Sequence, residues 1–473
     1  MEYGRLASML ALGCLLGCPV TTWAAVTVDT SVNFKIQNAN SGLLLAVSGA
    51  SQQAGASAVQ ASSDAGKEQL WHFIPAGSGE YKIVNANSGQ VLGISAGSKT
   101  AGATALQWAD NGTNDHLWTV VSTGNSQYKL QNVNSGLVLG INGASTASGA
   151  GALQWTDNGT SDHLWTLISA GAAYPGPGAV TGNVVPVHDP SMVKTGSGLY
   201  YLYATGGGIQ ERQSTDRANF TPSNLVYVFS PLPPWTAGYT NGVDLWAPDV
   251  SFHNGQYYMY YSASTFGSTK SAIGLATSPT GARGTWTDSG SPALTSATCS
   301  GSNAIDPALL VDSSGNWWLA FGSYSDGINM VRLDPTTAKP TTSSSTCYSL
   351  AKRLAGSAIE GSYVYPHGGF YYLFASVDAC CNGVNSTYHI IVGRSSNPQG
   401  PYSDRGGLAM TQGGGTIVLA THGNIVGPGG QSLFKDSDGD ILVYHYYDAN
   451  NNGFPTLGVN LIGWTSDGWP FVR

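Results

Sequence analysis

Five times in the later part of the chain a short apolar run is followed by a turn containing Gly, then by a run rich in Tyr or Trp. The copies are DPSMVKTGSGLYYLYAT from Asp189, WAPDVSFHNGQYYMYYS from Trp246, DPALLVDSSGNWWLAFGS from Asp306, EGSYVYPHGGFYYLFAS from Glu360 and GQSLFKDSDGDILVYHYY from Gly430. Apolar runs of strand length on either side of a Gly-containing turn are the pattern of a β-hairpin. Their recurrence at roughly 50–70 residues marks a repeat architecture. Repeated four-stranded sheets arranged radially around a channel form a β-propeller, and residues 183–473 hold enough chain for five blades. The copies can be aligned on their aromatic pairs (Tyr200–Tyr201, Tyr257–Tyr258, Trp317–Trp318, Tyr371–Tyr372, and Ile441–Leu442 in the degenerate last copy). The residue eleven places earlier is then Asp189, Trp246, Asp306, Glu360 or Gly430. That register predicts three carboxylates and an indole converging on one mouth of the channel. Any one Asp-Pro reads equally well as a turn opener. Three acids in one register, one of them a Glu, favour a site.

A second periodicity occupies residues 25–168. Asn40-Ser41-Gly42, Asn87-Ser88-Gly89 and Asn134-Ser135-Gly136 recur every 47 residues, and Trp71, Trp118 and Trp165 close each unit. Three strand-and-turn units of this size predict a β-trefoil. The segment resembles the ricin B-type lectins of carbohydrate-binding module family 13. Gln69-Leu70-Trp71 matches the family motif, whereas His116-Leu117-Trp118 and His163-Leu164-Trp165 place His where Gln is usual. Where the family carries a sugar-binding Asp, this chain has Ala46, Gly93 and Gly140. The remaining candidates are Trp108 and Trp155, which could stack on a sugar face, with Asp115 and Asp162 as acceptors. Ala61 stands at the Trp position of unit one, so at most two sugar sites are expected, while Trp71, Trp118 and Trp165 read as core.

Residues 169–182 (SAGAAYPGPGAVTG) are rich in Gly, Ala and Pro and read as a flexible linker with a stiff Pro-Gly-Pro centre, leaving the two units to act separately. At the other end, Arg5 precedes an apolar run from Leu6 to Val20, and Thr22-Trp23-Ala24 offers a peptidase site. Residues 1–24 are therefore predicted to be a signal peptide, the protein being secreted to the extracellular space or the periplasm; lipidation at Cys18 is the alternative. The exported setting permits disulfides. Cys299, Cys347, Cys380 and Cys381 allow three pairings; Cys299 with Cys347 is favoured, leaving an adjacent pair.

Only 10% of residues are charged and the formal net charge is −8, which argues against nucleic acid and anionic membrane as partners. Few charges beside many aromatic and amide groups suit a neutral, hydroxyl-rich ligand. Three carboxyls in a sugar-sized pocket suit glycoside hydrolysis, in which a protonated acid and an ionised carboxylate flank the scissile bond. A third acid nearby raises the pKa of the proton donor. No Ser-His-Asp set, phosphate loop or zinc-type cluster competes.

The stretches VHDPS, DLWAPDV, STFGS, NAIDPALL, AIEGSYV, CCNGVNSTY and THGN together resemble the arabinanases of glycoside hydrolase family 43 across residues 183–473. The resemblance implies inverting hydrolysis of α-1,5-linked arabinan, a side chain of pectin, by a monomer. Asp189 would be the general base, Glu360 the general acid and Asp306 the group that tunes and orients the acid. Trp246, Gly267, Asn303, Ser323 and Tyr324 would contact substrate, and His422 would hold a calcium ion beneath the site. Alternatives are an exo-acting α-L-arabinofuranosidase or β-xylosidase of the same family, or a polysaccharide-binding protein without catalysis. Asp249, three residues after Trp246, reads as structural, and His188 as either a pocket or a packing residue.

Overall fold

The computed structural model describes residues 26–473 apart from 342–345 and 355–356; the leader expected over residues 1–24, with Cys18, lies outside them. Among the described residues no helix is long and apolar enough to cross a membrane. Twelve strands between Val32 and Ala172 form a β-trefoil, four to each repeat. Trp71, Trp118 and Trp165 are fully buried at its centre. Their indole N–H groups donate to the carbonyls of Leu45, Leu92 and Leu139 at 2.9, 2.8 and 3.0 Å. Each large ring is thereby buried with its polar edge satisfied.

Residues 181–472 form five successive sheets, the blades of a β-propeller, antiparallel except where Thr181–Gly182 pairs parallel with Asn219–Tyr227 in the first. Their innermost strands are Ser191–Lys194, Trp246–His253, Ala308–Val311, Ile359–His367 and Ile425–Asp436. Each packs on the next, and the fifth returns to the first. No strand is exchanged between the first and last blades among the described residues; the ring is closed by backbone bonds from the segment leading into blade one (Val187 N–H to the Pro455 carbonyl at 2.9 Å, Leu457 N–H to the Val184 carbonyl at 3.1 Å) and by side chains. Buried Asp436 of blade five accepts from Lys194, Arg217 and Tyr200 of blade one, each at 2.6 Å. Disulfides join Cys299 to Cys347 and Cys380 to Cys381.

The register read from the aromatic pairs needs correction in two blades. Positive φ marks the equivalent backbone position in every blade: Asp189 (46°), Ala247 (42°), Asp306 (55°), Gly361 (59°) and Gly430 (58°). Trp246 and Glu360 thus stand one residue earlier than Asp189 and Asp306. The hairpin turns explain the slip. Lys194 pairs with Tyr200 and Val311 with Trp317, but Phe252 pairs with Tyr257 and Pro366 with Tyr371, a turn one residue shorter. Irregular pairing between Trp246 and Asp249, and between Glu360 and Tyr363, re-aims the side chains there, as bulges do.

Residues 169–182 are pinned rather than free. Gly178 N–H donates to the carbonyl of Val459, Asn460 Nδ2 donates to that of Gly176, and Thr181–Gly182 pairs with the outer strand of blade one. The Tyr174 hydroxyl lies 2.8 Å from His72 Nε2 of the trefoil. The trefoil itself is docked on the propeller by a buried ion network. Lys82 pairs with Asp110 at 2.6 Å within the trefoil, and with Asp378 of blade four. Arg353 Nη2 reaches Asp110 at 3.1 Å, and His389 lies between Asp110 and Asp378. The threefold repeat shows what docking adds. The equivalent pair in repeat three, Lys129 and Asp157, keeps a 2.5 Å contact but leaves Asp157 35% exposed, whereas Asp110 is 1% exposed.

Burial opposes the charges of this network, but the opposite charges overcome it: Lys82 is held above its ordinary pKa, Asp378 below and Asp110 well below. Groups with depressed pKa stabilise above the usual carboxylate range and lose that contribution as pH falls; a raised Lys loses its contribution only as pH rises through its folded value. Docking should therefore be strongest between about pH 4 and 10. Lys82→Met leaves two buried carboxylates short of a cation, which typically costs about 3–5 kcal/mol. Calorimetry should show trefoil and propeller melting together in the parent protein and as separate transitions in Lys82→Met; an unchanged single transition would show that the network does not hold the two units together.

Candidate active site

At each left-handed position the backbone N–H donates to a side chain of the preceding blade. Asp189 donates to His445 Nδ1 (3.1 Å), Ala247 to Thr205 Oγ1 (2.8 Å), Asp306 to Ser262 Oγ (2.9 Å), Gly361 to Asp306 Oδ2 (2.9 Å) and Gly430 to Ser376 Oγ (2.9 Å). The ring gathers Asp189, Asp306 and Gly361 around the top of a narrow 30 Å³ cavity, which admits water but not a sugar. Asp249 belongs to a deeper layer and occupies the place Ser191 holds in blade one. Its Oδ2 accepts from Leu309 N–H at 2.7 Å, just as Ser191 Oγ accepts from Val250 N–H at 3.0 Å. Burial lifts Asp249 to about 7, and its place between blades agrees with a structural reading.

The three acids meet different surroundings. Asp189 Oδ2 accepts from His188 Nδ1 at 2.8 Å and from Thr205 Oγ1 at 2.7 Å, leaving Oδ1 without a hydrogen bond among the described residues. Gly430 keeps that oxygen open, since a Cβ there would lie 2.4 Å from it. Burial works against the Asp189 charge, but His188 and then His445 and Thr205 hold its pKa far below the ordinary range. His188, desolvated yet paired with Asp189, is correspondingly raised, and its Nε2 meets the Tyr447 hydroxyl at 2.9 Å. Glu360, 8% exposed, accepts from Ser323 Oγ at 2.7 Å and from the Tyr388 hydroxyl at 3.0 Å. Burial raises its pKa against those two bonds, and the charge of Asp189 adds to the rise. Asp306 is pushed well above the carboxylate range by burial, then by Glu360 and Asp189, against the Gly361 N–H. The surroundings thus favour the ionised form of Asp189 and bias Glu360 and Asp306 toward their protonated forms.

Asp306 was expected to raise Glu360 by its charge. In the structure burial and Asp189 lead, and Asp306 is itself raised. Of the expected substrate contacts, Ser323 is engaged with Glu360, and Asn303 Oδ1 accepts from Ser271 Oγ at 2.6 Å. Trp246 is half-buried at the start of its strand, Gly267 (φ 78°) sits in an open turn, and Tyr324 is 53% exposed. His422 is not among the acids. Its ring lies 5.3 Å from that of Tyr174, beside a cavity lined by trefoil, linker and propeller residues that include no carboxylate. A calcium ion takes six to eight oxygen ligands, so this single imidazole does not fit one, and no step below uses it. Thr205, Tyr388, His445 and Tyr447 were not anticipated. Tyr388 lay within the CCNGVNSTY stretch, and His445 sits in the YHYY run of the last hairpin, whose register was obscured by its missing aromatic pair.

In the trefoil, Trp155 is 42% exposed and Trp108 half-buried, each ring lying over Gly102 or Gly55 of the preceding repeat. Asp115 and Asp162 turn toward His116 and His163, 3.4 Å away in both cases, and Asp162 is buried. Those His rings fill the space that side chains at Gly93 and Gly140 would take: a Cβ would lie 2.4 and 2.3 Å from them. The two departures from the lectin pattern are thus one packing solution.

The profile of the glycosyl hydrolases family 43 matches residues 183–470, and that of the ricin-type β-trefoil lectin domain-like family matches overlapping stretches within residues 21–175. The chain belongs to glycosyl hydrolase family 43. It is a glycosidase with a ricin B-like trefoil. Similar proteins include the extracellular endo-α-(1→5)-L-arabinanase 1 of Bacillus subtilis, 45% identical over 60% of this chain and 87% of that one. The arabinan endo-1,5-α-L-arabinosidase A of Aspergillus niger is 42% identical over 63% of this chain and 94% of that one. Among solved structures, a family 43 endo-arabinanase of Bacillus licheniformis superposes with a TM-score of 0.57 at 42% identity, covering 62% of this chain and 99% of that one. An exo-1,5-α-L-arabinanase from a bovine ruminal metagenomic library also gives 0.57, at 35% identity, covering 62% and 98%.

Within this family 43 pocket, Tyr388→Phe removes a donor that favours the ionised form of Glu360. The alkaline limb of kcat/KM should move to higher pH, whereas Asp306→Asn, which exchanges an acid biased toward its protonated form for a neutral amide, should leave that limb nearly in place. A pH–rate profile reads both; a downward shift in Asp306→Asn as large as the upward one in Tyr388→Phe would show that Asp306 acts on Glu360 as an ionised neighbour.

Proposed function

We propose that this enzyme hydrolyses α-1,5-linked L-arabinofuranosyl bonds within arabinan, with inversion, after export to where pectic side chains are found. The observation that carries the reading is the pairing of an Asp189 whose Oδ2 is held by His188 and Thr205 while Oδ1 stays open with a buried Glu360 held by Ser323 and Tyr388. Similarity to arabinanases over nearly the whole propeller supports the choice of sugar and linkage.

In this reading Asp189 Oδ1, kept open by Gly430, takes a proton from the attacking water, while His188 and Thr205 hold Oδ2 and fix the carboxylate's orientation. The water's oxygen bonds to the anomeric carbon as the glycosidic C–O bond breaks. Glu360 gives its proton to the departing oxygen. Asp306, accepting from Gly361 N–H beside Glu360, positions the acid's backbone. The developing positive charge on the sugar ring faces an ionised Asp189, the arrangement an oxocarbenium-like transition state requires.

The two roles separate by leaving group. General acid catalysis typically contributes about 10²–10⁴-fold, so Glu360→Ala should lose that much on arabinan but far less on an aryl arabinoside whose phenol leaves unaided. Asp189→Ala should be crippled on both, because water must be activated either way. Equal losses across both substrates would refute the assignment. On linear arabinan, a ladder of early products supports internal cleavage, and a single product from the outset would make the enzyme exo-acting.

A further inference from the structure

The docked trefoil does not merely sit beside the propeller; it supplies one wall of a groove at the active-site mouth. The groove has a volume of 310 Å³ and runs between Ala76 and Leu117 of the trefoil and Tyr324, Ser357, Ala379 and Thr387 of the propeller. That volume is at the lower end of the range for ligand sites, roughly 300–1,000 Å³. Tyr324 joins it to the catalytic pocket: Ser323, the preceding residue, bonds Glu360, and the Tyr324 phenol is raised by burial first and then by the nearby Glu360 charge. On the opposite side Asp378 N–H donates to the Ala358 carbonyl, just beyond the cross-strand pair Glu360–Ser376.

The walls are brought together closely at one point. A Cβ on Gly112 of the trefoil would lie 2.2 Å from Ser357 Oγ of the propeller. The equivalent Gly159 in repeat three, which no propeller covers, has nothing within 4 Å. The lining combines apolar surface from Ala76, Leu117 and the exposed Tyr324 ring with the hydroxyls of Ser357 and Thr387, and its charged members, Lys82 and Asp378, are paired with each other and so leave no net charge facing the groove. Such a mixture suits a neutral polyol with apolar ring faces.

We propose that this groove is a distal glycan subsite built jointly by trefoil and propeller, holding arabinofuranosyl residues of the substrate chain beyond those at the acids. The inference rests on the arabinan reading above and adds to it. The trefoil's contribution is then part of the cleft itself, in contrast to the independent module that a flexible linker predicts.

The test compares kcat/KM for α-1,5-arabinohexaose and arabinotriose in the full-length enzyme. Ala76→Trp fills the groove from the trefoil side and Ala379→Trp from the propeller side, so the result does not depend on one variant folding. Loss of one good subsite corresponds to about tenfold in affinity, and each variant should lower the hexaose-to-triose ratio by about that factor. If the parent enzyme cleaves both oligosaccharides and the ratio survives both substitutions, the groove proposal is overturned while the arabinan reading stands. If the parent cleaves neither, both fall together.

Discussion

One backbone N–H per blade, donated from a left-handed residue to the neighbouring blade, sets where the acids of this pocket point. For Asp189, Ala247 and Asp306 the conformation is itself unfavourable, about 1–3 kcal/mol each for a residue with a Cβ, and a single hydrogen bond returns about 1 kcal/mol. The closed ring makes up the difference, because each strained residue is held by a blade that is held in turn. In blade four the acceptor is the Asp306 carboxylate rather than a Ser or Thr hydroxyl or a His ring. The carboxylate that orders the backbone beside Glu360 is thus one that burial and then the charge of Glu360 raise, against the Gly361 N–H that it accepts.

Their surroundings give the three buried acids different fates. Asp189 meets an imidazole, a hydroxyl and a second imidazole nearby, and stays ionised. Glu360 and Asp306 meet burial first, and both are raised. Desolvation alone would neutralise all three; His188 is the residue that separates one from the others. Gly430, the fifth member of the ring, contributes by having no side chain, since any Cβ there would crowd the oxygen of Asp189 left for water.

Much of this was legible in the chain. The hairpin repeat and the 47-residue repeat each carry their fold in a local pattern, and the acids stand out because aromatic pairs mark their register. What escaped depended on turn length and on side chains brought from another blade. A turn one residue shorter in blades two and four shifts Glu360 and Trp246 by one place, which a spacing rule cannot detect. His445 reaches Asp189 only through ring closure, and Tyr388 reaches Glu360 across their own blade from 28 residues away, so neither is a sequence neighbour of the acid it touches. The linker composition suggested freedom, but Tyr174, Gly176 and Gly178 find partners on both folded units. His422 fell in a recognisable motif and yet lies against Tyr174, away from the acids.

The central claim is that Asp189 acts as a base through water and does not attack the sugar itself. Proton NMR of the first product released from an α-linked arabino-oligosaccharide, recorded before mutarotation, tests it most directly. The account predicts β-arabinofuranosyl product as the initial signal. Initial α product would mean that a carboxylate bonds to the anomeric carbon, contradicting the division of roles between Asp189 and Glu360.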